Sequence, residues 1–361
     1  MNSELRRCIA FALVSGDLGG GQRIALTTAK ALLERGWGLA VIAPSDGESV
    51  EAFSALEAQI EITGPIRTFD VAQIARVRRF LIRTRAICTY THSVPTHEVV
   101  VGLAARSAGT RLVLHRHIIG SFSSSSTIRL FQTGLWRYIL RRADEIVSVS
   151  DQVREQLLDV AGVESHLVPN GTPVVDVGSH KDRAEVVIGS VARIDPNKRV
   201  EDLIDAAAIV CGSEPLARFV LVGGGLGDEY ERSCRERVTR LGLQQRFVFV
   251  GARDGREAIA DFDVFVLPSV LEGHPLALLE AMSYGKPVVV SDIPGHRETV
   301  TDRVHGRVVR PRDPVAIASA VIELVRSPPL REAWGDAGAE RVRQEFSEDR
   351  MVRALVSVVD P

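Results

Sequence analysis

Short apolar runs alternate along this chain with segments of helical period. In the first half the runs at Ile9–Val14, Leu39–Ala43, Ile87–Tyr90, Leu112–Leu114, Ile146–Val149 and His166–Val168 read as strands. Between them, Gln22–Arg35, Val71–Arg83, Glu98–Ala108 and Val153–Val160 space their apolar residues as amphipathic helices do. Such repetition predicts an α/β fold whose parallel sheet is covered on both faces. A polar stretch from Pro169 to Arg183 reads as a linker. The pattern then restarts with strands at Val186–Val191, Phe219–Val222, Phe247–Val250 and Val264–Leu267, and helices near Val200–Val210 and Glu229–Leu241. Two Rossmann-like βαβ domains facing a cleft are therefore expected, at residues 1–175 and 176–345. A last helix within 346–361 is expected to cross back to the first domain.

The stretch Val264–Met282, VFVLPSVLEGHPLALLEAM, concentrates the candidate chemistry. A buried strand feeds a loop with Glu272, Gly273 and His274, and a helix opens at Pro275 carrying Glu280 about 7 Å along its axis. Ligands of doubly wound sheets collect at such strand ends. The free N–H groups and positive dipole end of the helix suit a phosphate. A carboxylate, an anion site and a second carboxylate fit a sugar, a diphosphate and a ribose in line. Arg193 and Lys198 leave the first strand of the second half in VARIDPNKR, on the same expected rim, where two cations neutralise a departing diphosphate without a metal.

A length of 361 residues suits two domains, and a net charge of −2 implies no nucleic-acid partner. Up to Asn170 there are 19 Lys and Arg against 16 Asp and Glu, and 25 against 30 afterwards, so the first half is the more basic. Cys8, Cys88, Cys211 and Cys234 lack metal-ligand spacing and read as reduced, buried thiols. The opening MNSELRRCIAFALVSG is read as a first strand rather than a leader, and no run reaches the ~18 apolar residues of a membrane span. A cytoplasmic chain is expected, with no metal site.

The loop Gly16–Gly21 lacks both the dinucleotide fingerprint and the P-loop ending, and Gly223, Gly224, Gly225 and Gly227 also miss the fingerprint. Both loops still allow a backbone to approach a ligand closely. His92, His97, His115 and His117 fall near successive strand ends; His117, just beyond its strand, is favoured for the site, with His115 as the second choice.

VPNGTP (168–173), SVARIDPNKRVEDLIDA (190–206), FVFVGARDG (247–255) and FDVFVLPSVLEGHPLALLEAMSYGKPVVVSDIPGHRE (262–298), with SVSDQVREQL (148–157), closely resemble the family-4 retaining glycosyltransferases of GT-B fold. The resemblance spans nearly the whole chain, and Glu272 and Glu280 match the family's paired glutamates. It implies that Glu280 holds the ribose, Glu272 contacts the transferred sugar, and Arg193 and Lys198 bind the diphosphate with backbone amides near Leu276 and Ala277. The loop from Val250 through Gly251 to Arg253 would hold the base. His117 would lie near the sugar, and Gly19, Gly20 and Gly21 would approach the phosphates. His274 stands where the family often has a bulky apolar residue, a departure at the sugar pocket.

The activity so implied is metal-independent transfer of a sugar, with retention, from a nucleoside-diphosphate sugar to a hydroxyl acceptor on a glycan, a lipid-linked carrier or a small molecule. No cofactor is expected beyond that donor substrate. Two alternatives are a GT-B sugar-nucleotide epimerase and a catalytically silent nucleotide-sugar-binding partner. On the acceptor side, Arg76, Arg78, Arg79, Arg83 and Arg85 form a basic run, and Arg129–Arg142 mixes arginines with Leu135, Trp136, Ile139 and Leu140. Such segments suit peripheral contact with the inner face of an anionic membrane, though an ordinary core-packed helix with a solvated back is the favoured reading of the second. Ser123–Ser126 reads as a loop at the acceptor mouth.

Overall fold

In this computed structural model the structure describes residues 7–65, 70–92, 94–117, 126–176, 185–225, 227 and 229–360, without the side chains of 126–132. The serines at 123–125 and Arg129 therefore lie outside what is described. The chain divides into two compact units, one of Met1–Pro169 with Met351–Pro361 and one of Asn170–Arg350.

The first unit runs β1 (Cys8–Leu13), α1 (Gly20–Glu34), β2 (Gly38–Ala43), α2 (Glu48–Ser54), β3 (Gln59–Ile62), α3 (Val71–Arg83), β4 (Ala86–His92), α4 (Pro95–Ala108), β5 (Arg111–Arg116), α5 (Ser126–Leu140), β6 (Glu145–Ser148), α6 (Asp151–Ala161) and β7 (His166–Leu167). Its strands pair in parallel in the order β3-β2-β1-β4-β5-β6-β7. The order reverses direction between β1 and β4, which opens a crevice at the carboxyl ends of those two strands. β1 is buried throughout, as a central parallel strand covered by helices must be. Short α2 and the edge strand β3, with the polar sequence QIEI, were not expected from the sequence, because neither carries a sustained apolar period.

The second unit runs β8 (Val186–Val191), a 3-10 turn at Pro196–Lys198, α7 (Val200–Ser213), β9 (Ala217–Val222), α8 (Glu229–Arg240), β10 (Phe247–Gly251), α9 (Gly255–Ile259), β11 (Val264–Leu267), α10 (Leu276–Ser283), β12 (Val288–Ser291), α11 (Pro294–Arg297), β13 (Gly306–Val309), α12 (Pro314–Arg326) and α13 (Pro328–Glu345). Its all-parallel order is β10-β9-β8-β11-β12-β13, so the reversal lies between β8 and β11. The apolar run of β11 still alternates. Val264 and Val266 face a core with Leu203, Val210 and Val321, while Phe265 and Leu267 face one with Leu278, Met282 and Val342.

From Met351 onward α14 (Glu348–Val359) belongs to the first unit. There the Arg111 guanidinium donates to the Val359 carbonyl at 2.8 Å, and Arg7 and Trp37 donate to Asp360. The segment read as a linker is partly structural. Val175 N–H donates to Ser283 Oγ, the Ser283 hydroxyl to the Pro173 carbonyl, and Thr172 N–H to the Phe346 carbonyl. Those bonds tie 170–175 to the second unit and set its boundary a few residues earlier than expected.

The arginines of α3 are exposed, with Arg76 and Arg83 both paired to Glu61. Trp136, Ile139 and Leu140 of α5 are buried in the first unit's core, as in an ordinary packed helix. Among the described residues no helix is long and apolar enough to cross a membrane. The four cysteines are free, with Cys8, Cys88 and Cys234 buried.

Candidate active site

In the second unit the connections leaving β8, β9 and β10 are bonded to one another. Ala192 and Ile194 N–H donate to the Val222 and Gly224 carbonyls, and Gly223 N–H donates to the Gly251 carbonyl at 2.9 Å. Gly223 has φ 141°, and a Cβ there would come within 2.0 Å of the Ala192 carbonyl oxygen. Only glycine allows that approach, which fixes the loop carrying Arg193.

The Asp195 carboxylate accepts from Asn197 N–H to cap the 3-10 turn, and Val270 N–H donates to the Asn197 carbonyl at 2.9 Å. These bonds bring the loop after β8 against the loop after β11, at the reversal point of the sheet. Lys198 Nζ there donates to Glu272 Oε1 at 2.6 Å, with side-chain exposures of only 18% and 9%. Arg193 is 82% exposed and loosely paired with Asp195 at 3.4 Å, so its guanidinium is presented to solvent.

No side chain caps the start of α10, and Leu276 and Ala277 are half-buried in its first turn. Glu280 lies buried further along that helix, close enough to Arg256 to raise the guanidinium pKa alongside its main partner Asp254. Gly251 ends β10 with φ 88°, and Arg253 beyond it is exposed.

His274 has a different place from the pocket-lining one expected. Its ring is buried: Nδ1 accepts from Asn170 N–H at 3.1 Å, and Nε2 lies 3.1 Å from Thr299 Oγ1. The Asn170 amide donates in turn to the His274 carbonyl at 2.6 Å. Because Nδ1 accepts, the neutral tautomer donates Nε2–H to Thr299. Burial above all, with Arg341 and His296 nearby, pushes the imidazole pKa down to about 3. The side chain thus anchors the 170–175 segment.

The sequence reading missed His296 at the start of α11. Gly295 brings this helix so close that a Cβ would lie 2.5 Å from the Glu272 carbonyl oxygen. His296 is fully buried, its Nδ1 bonds the Ser291 carbonyl at 2.8 Å, and its Nε2 has no hydrogen-bond partner among the described residues. Burial lowers its pKa, Glu272 opposes that, and Lys198 adds to it. The signal was available: GHRE follows a strand end, the criterion that singled out His117.

In the first unit the reversal point lies between β1 and β4. Gly19 precedes α1 without a side-chain cap, and the Gly21 α-carbon faces the His117 ring, which a Cβ would meet at 3.6 Å. The glycine loop and His117 are therefore neighbours. His117 is half-buried, whereas His115 is turned inward at 1% exposure with Nδ1 held 2.8 Å from the Tyr90 hydroxyl. His92 Nδ1 lies 2.9 Å from His117 Nε2, and the rings of His115 and His117 stack at 4.4 Å. Burial, reinforced by Arg116, pushes His117 down to about 4, and His92 and His115 are likewise held well below the usual imidazole value, burial first. At neutral pH these imidazoles are uncharged.

Arg116 itself is fully buried against Glu98 at 2.6 Å, and Trp136 Nε1 donates to the other Glu98 oxygen at 2.7 Å. The guanidinium lies over the Trp136 ring at 5.2 Å. Nothing in the sequence pairs these three residues, since each comes from a different element.

The family model described as "Glycosyl transferases group 1" matches residues 177–341, and "Glycosyltransferase Family 4" matches residues 18–175. The chain belongs to the family-4, group 1 glycosyltransferases. It is 29% identical over 342 residues to a phosphatidyl-myo-inositol mannosyltransferase of Mycobacterium leprae, covering 90% of this chain and 89% of that one. It is 27% identical over 278 residues to a UDP-Gal:alpha-D-GlcNAc-diphosphoundecaprenol alpha-1,3-galactosyltransferase of Escherichia coli, covering 71% and 70%. Among solved structures, Anabaena Alr3699/HepE in complex with UDP-glucose superposes with a TM-score of 0.85 at 22% identity, over 98% of this glycosyltransferase and 99% of that chain.

The glycosyltransferase has the GT-B fold, each of its units supplying one parallel sheet. Within the second unit the geometry joins Lys198 to Glu272 and sets Arg193 on an adjoining loop. Within the first it joins Gly21 to His117. Neither the epimerase nor the silent-partner alternative is favoured by these relatives.

Proposed function

We propose that this glycosyltransferase moves a hexose from a nucleoside-diphosphate sugar to a hydroxyl acceptor, with retention of anomeric configuration and without a metal. The supporting observation is the Lys198–Glu272 pair beside the uncapped start of α10, with Arg193 open to solvent on the neighbouring loop. Breaking the anomeric C–O bond builds positive charge on the sugar and negative charge on the diphosphate. Lys198, Arg193 and the first amides of α10 stabilise the second. Glu272 is assigned to the sugar and Glu280 to the ribose. The Gly251–Arg253 loop is assigned to the base, and His117 with the Gly19–Gly21 loop to the sugar and phosphates. In the retaining step the acceptor hydroxyl oxygen bonds to the anomeric carbon on the face the diphosphate leaves, and its proton passes to the departing phosphate oxygen.

UDP is the first nucleotide to test, because the Anabaena neighbour carries UDP-glucose and the Escherichia coli relative is named for UDP-Gal. The names of both curated relatives specify acceptors that carry a lipid. A lipid-linked hydroxyl is accordingly the acceptor class proposed, with the exposed arginine face of α3 resting on anionic lipid at the inner membrane face. A thermal-shift series with UDP, GDP, ADP and TDP tests the donor: a bound nucleotide at 100 times its Kd stabilises by about 2.7 kcal/mol. Turnover surviving EDTA, an axially configured product and flotation with anionic vesicles are the other expected results. No shift with any nucleotide, or an inverted product, overturns the reading.

A further inference from the structure

We propose that His92, His115 and His117 form a three-imidazole site for a transition-metal ion of the Zn²⁺ class. β4 and β5 are adjacent parallel strands, with Thr91 opposite Leu114. His115 and His117 therefore project from one face, two residues apart, beside His92 at the end of the next strand. One ring nitrogen from each lies within 4.8 Å of the others. A tetrahedral ion with Zn–N bonds of about 2.0–2.1 Å holds its nitrogens roughly 3.4 Å apart, so closure asks for about an ångström of ring movement. Half-buried His117 supplies it by exchanging its 2.9 Å bond to His92 Nδ1 for the ion.

Two further observations point to an ion. His92 and His115 are 3% and 1% exposed, and Nε2 of each has no hydrogen-bond partner among the described residues. Buried polar atoms without partners are rare and ask for an occupant. The Tyr90 hydroxyl, 2.8 Å from His115 Nδ1, fixes that ring and leaves Nε2 as the ligating atom, the usual arrangement around a metal-bound histidine. An all-imidazole set selects Zn²⁺, Co²⁺, Ni²⁺ or Cu²⁺ over Mg²⁺ or Ca²⁺, and three protein ligands leave a fourth position open. Bound there, the ion withdraws His117 from the sugar and inhibits transfer, a consequence that rests on the function proposed above; binding itself does not.

The test uses tag-free full-length protein, stripped with EDTA and dialysed, then titrated with Co²⁺ and followed by the visible d–d bands of the four-coordinate ion, with Zn²⁺ calorimetry in parallel. Saturation at one equivalent is expected. His117→Ala, at the half-buried position, should abolish it, while His166→Ala, at an exposed histidine bonded to Glu145, should leave it intact. Tyr90→Phe, which removes a positioning residue, should weaken binding roughly 10- to 100-fold. Thermal melts confirm that each variant is folded. Absence of a saturable one-equivalent site, or uptake unchanged in folded His117→Ala, overturns the proposal. Either result leaves the nucleotide thermal-shift series untouched, so failure here and failure of the donor assignment are separately visible.

Discussion

Replacing Lys198 with alanine perturbs stability and turnover by separable routes. The ammonium donates to Glu272 Oε1 at 2.6 Å, and the Glu272 side chain is only 9% exposed. Its removal leaves a carboxylate with little water to replace the lost partner. A hydrogen bond between charged groups contributes about 1.5–3 kcal/mol. For a unit the size of the second one, about 2–4 °C of Tm per kcal/mol gives a fall of roughly 3–12 °C. Fully buried His296 feels Glu272 as a raising influence and Lys198 as a lowering one, so its protonation is expected to offset part of the loss at low pH. On turnover, losing one fixed charge from a leaving group costs about 10²–10³ in kcat.

The double variant Lys198→Ala with Glu272→Gln separates the two effects. With the carboxylate neutral, no uncompensated charge remains, and the Tm should return close to that of Glu272→Gln alone. Turnover should stay low, because the cation assigned to the diphosphate is still missing. Initial rates of nucleotide release, read beside differential scanning fluorimetry on all four proteins, complete the cycle. If the double variant turns over as fast as Glu272→Gln, Lys198 serves only to neutralise Glu272, and the leaving-group argument is refuted.

Glu280→Ala should weaken UDP binding by about 10- to 150-fold, the equivalent of one charged hydrogen-bonded contact, with a smaller change in kcat; unchanged affinity by calorimetry rejects the ribose assignment. Gly223→Ala forces a Cβ to within 2.0 Å of the Ala192 carbonyl at φ 141°, and should destabilise the second unit by roughly 1–3 kcal/mol, visible as a Tm loss of several degrees. The buried imidazoles predict an acid limb of stability. His97 and His117 are pushed down to about 4 and His274 to about 3, chiefly by burial, so each stays neutral in the folded chain while the unfolded chain protonates near 6.5. Their contribution is complete above 6.5 and is lost as pH falls from there towards 4, by about 1.4 kcal/mol per pH unit and group. His97→Phe removes one of these groups without costing a hydrogen bond, since neither His97 nitrogen has a partner among the described residues. It should flatten that limb in the first unit, and an unchanged slope in melts between pH 7 and pH 5 contradicts the account.

What the sequence showed was local. The run VFVL, its Gly/Pro loop and the following helix gave β11, Glu272 and α10 because strand period, loop residues and helix start lie side by side in the chain. The Arg193 and Lys198 loop was legible for the same reason, as a strand end in a repeating βαβ pattern. Contacts that depend on strand order were not. His92 reaches His115 and His117 only because β4 pairs with β5, and a sequence pattern carries no record of that pairing. Glu98, Arg116 and Trp136 meet across α4, β5 and α5, three elements whose own periods are satisfied without the contact. His274 was placed at the sugar pocket by the family resemblance, as a departure from a bulky apolar residue. Its direction is set by Asn170, from a segment whose Pro, Gly and Asn residues looked like a free linker.

The two sheet ends solve different electrostatic problems. At the end of β8 and β11 the charges are real but compensated: Lys198 neutralises Glu272, and exposed Arg193 is held only loosely. If the proposed donor assignment holds, a doubly charged diphosphate adds its anion where a cation is already fixed, so little reorganisation is needed as negative charge develops. At the end of β4 and β5 the groups are imidazoles kept neutral by burial, beside a helix start made of glycine. A neutral donor and acceptor suits a sugar hydroxyl. A divalent ion on the three histidines would place a double positive charge among imidazoles that burial keeps neutral and would engage His117 as a ligand, which is the proposed basis of its inhibition.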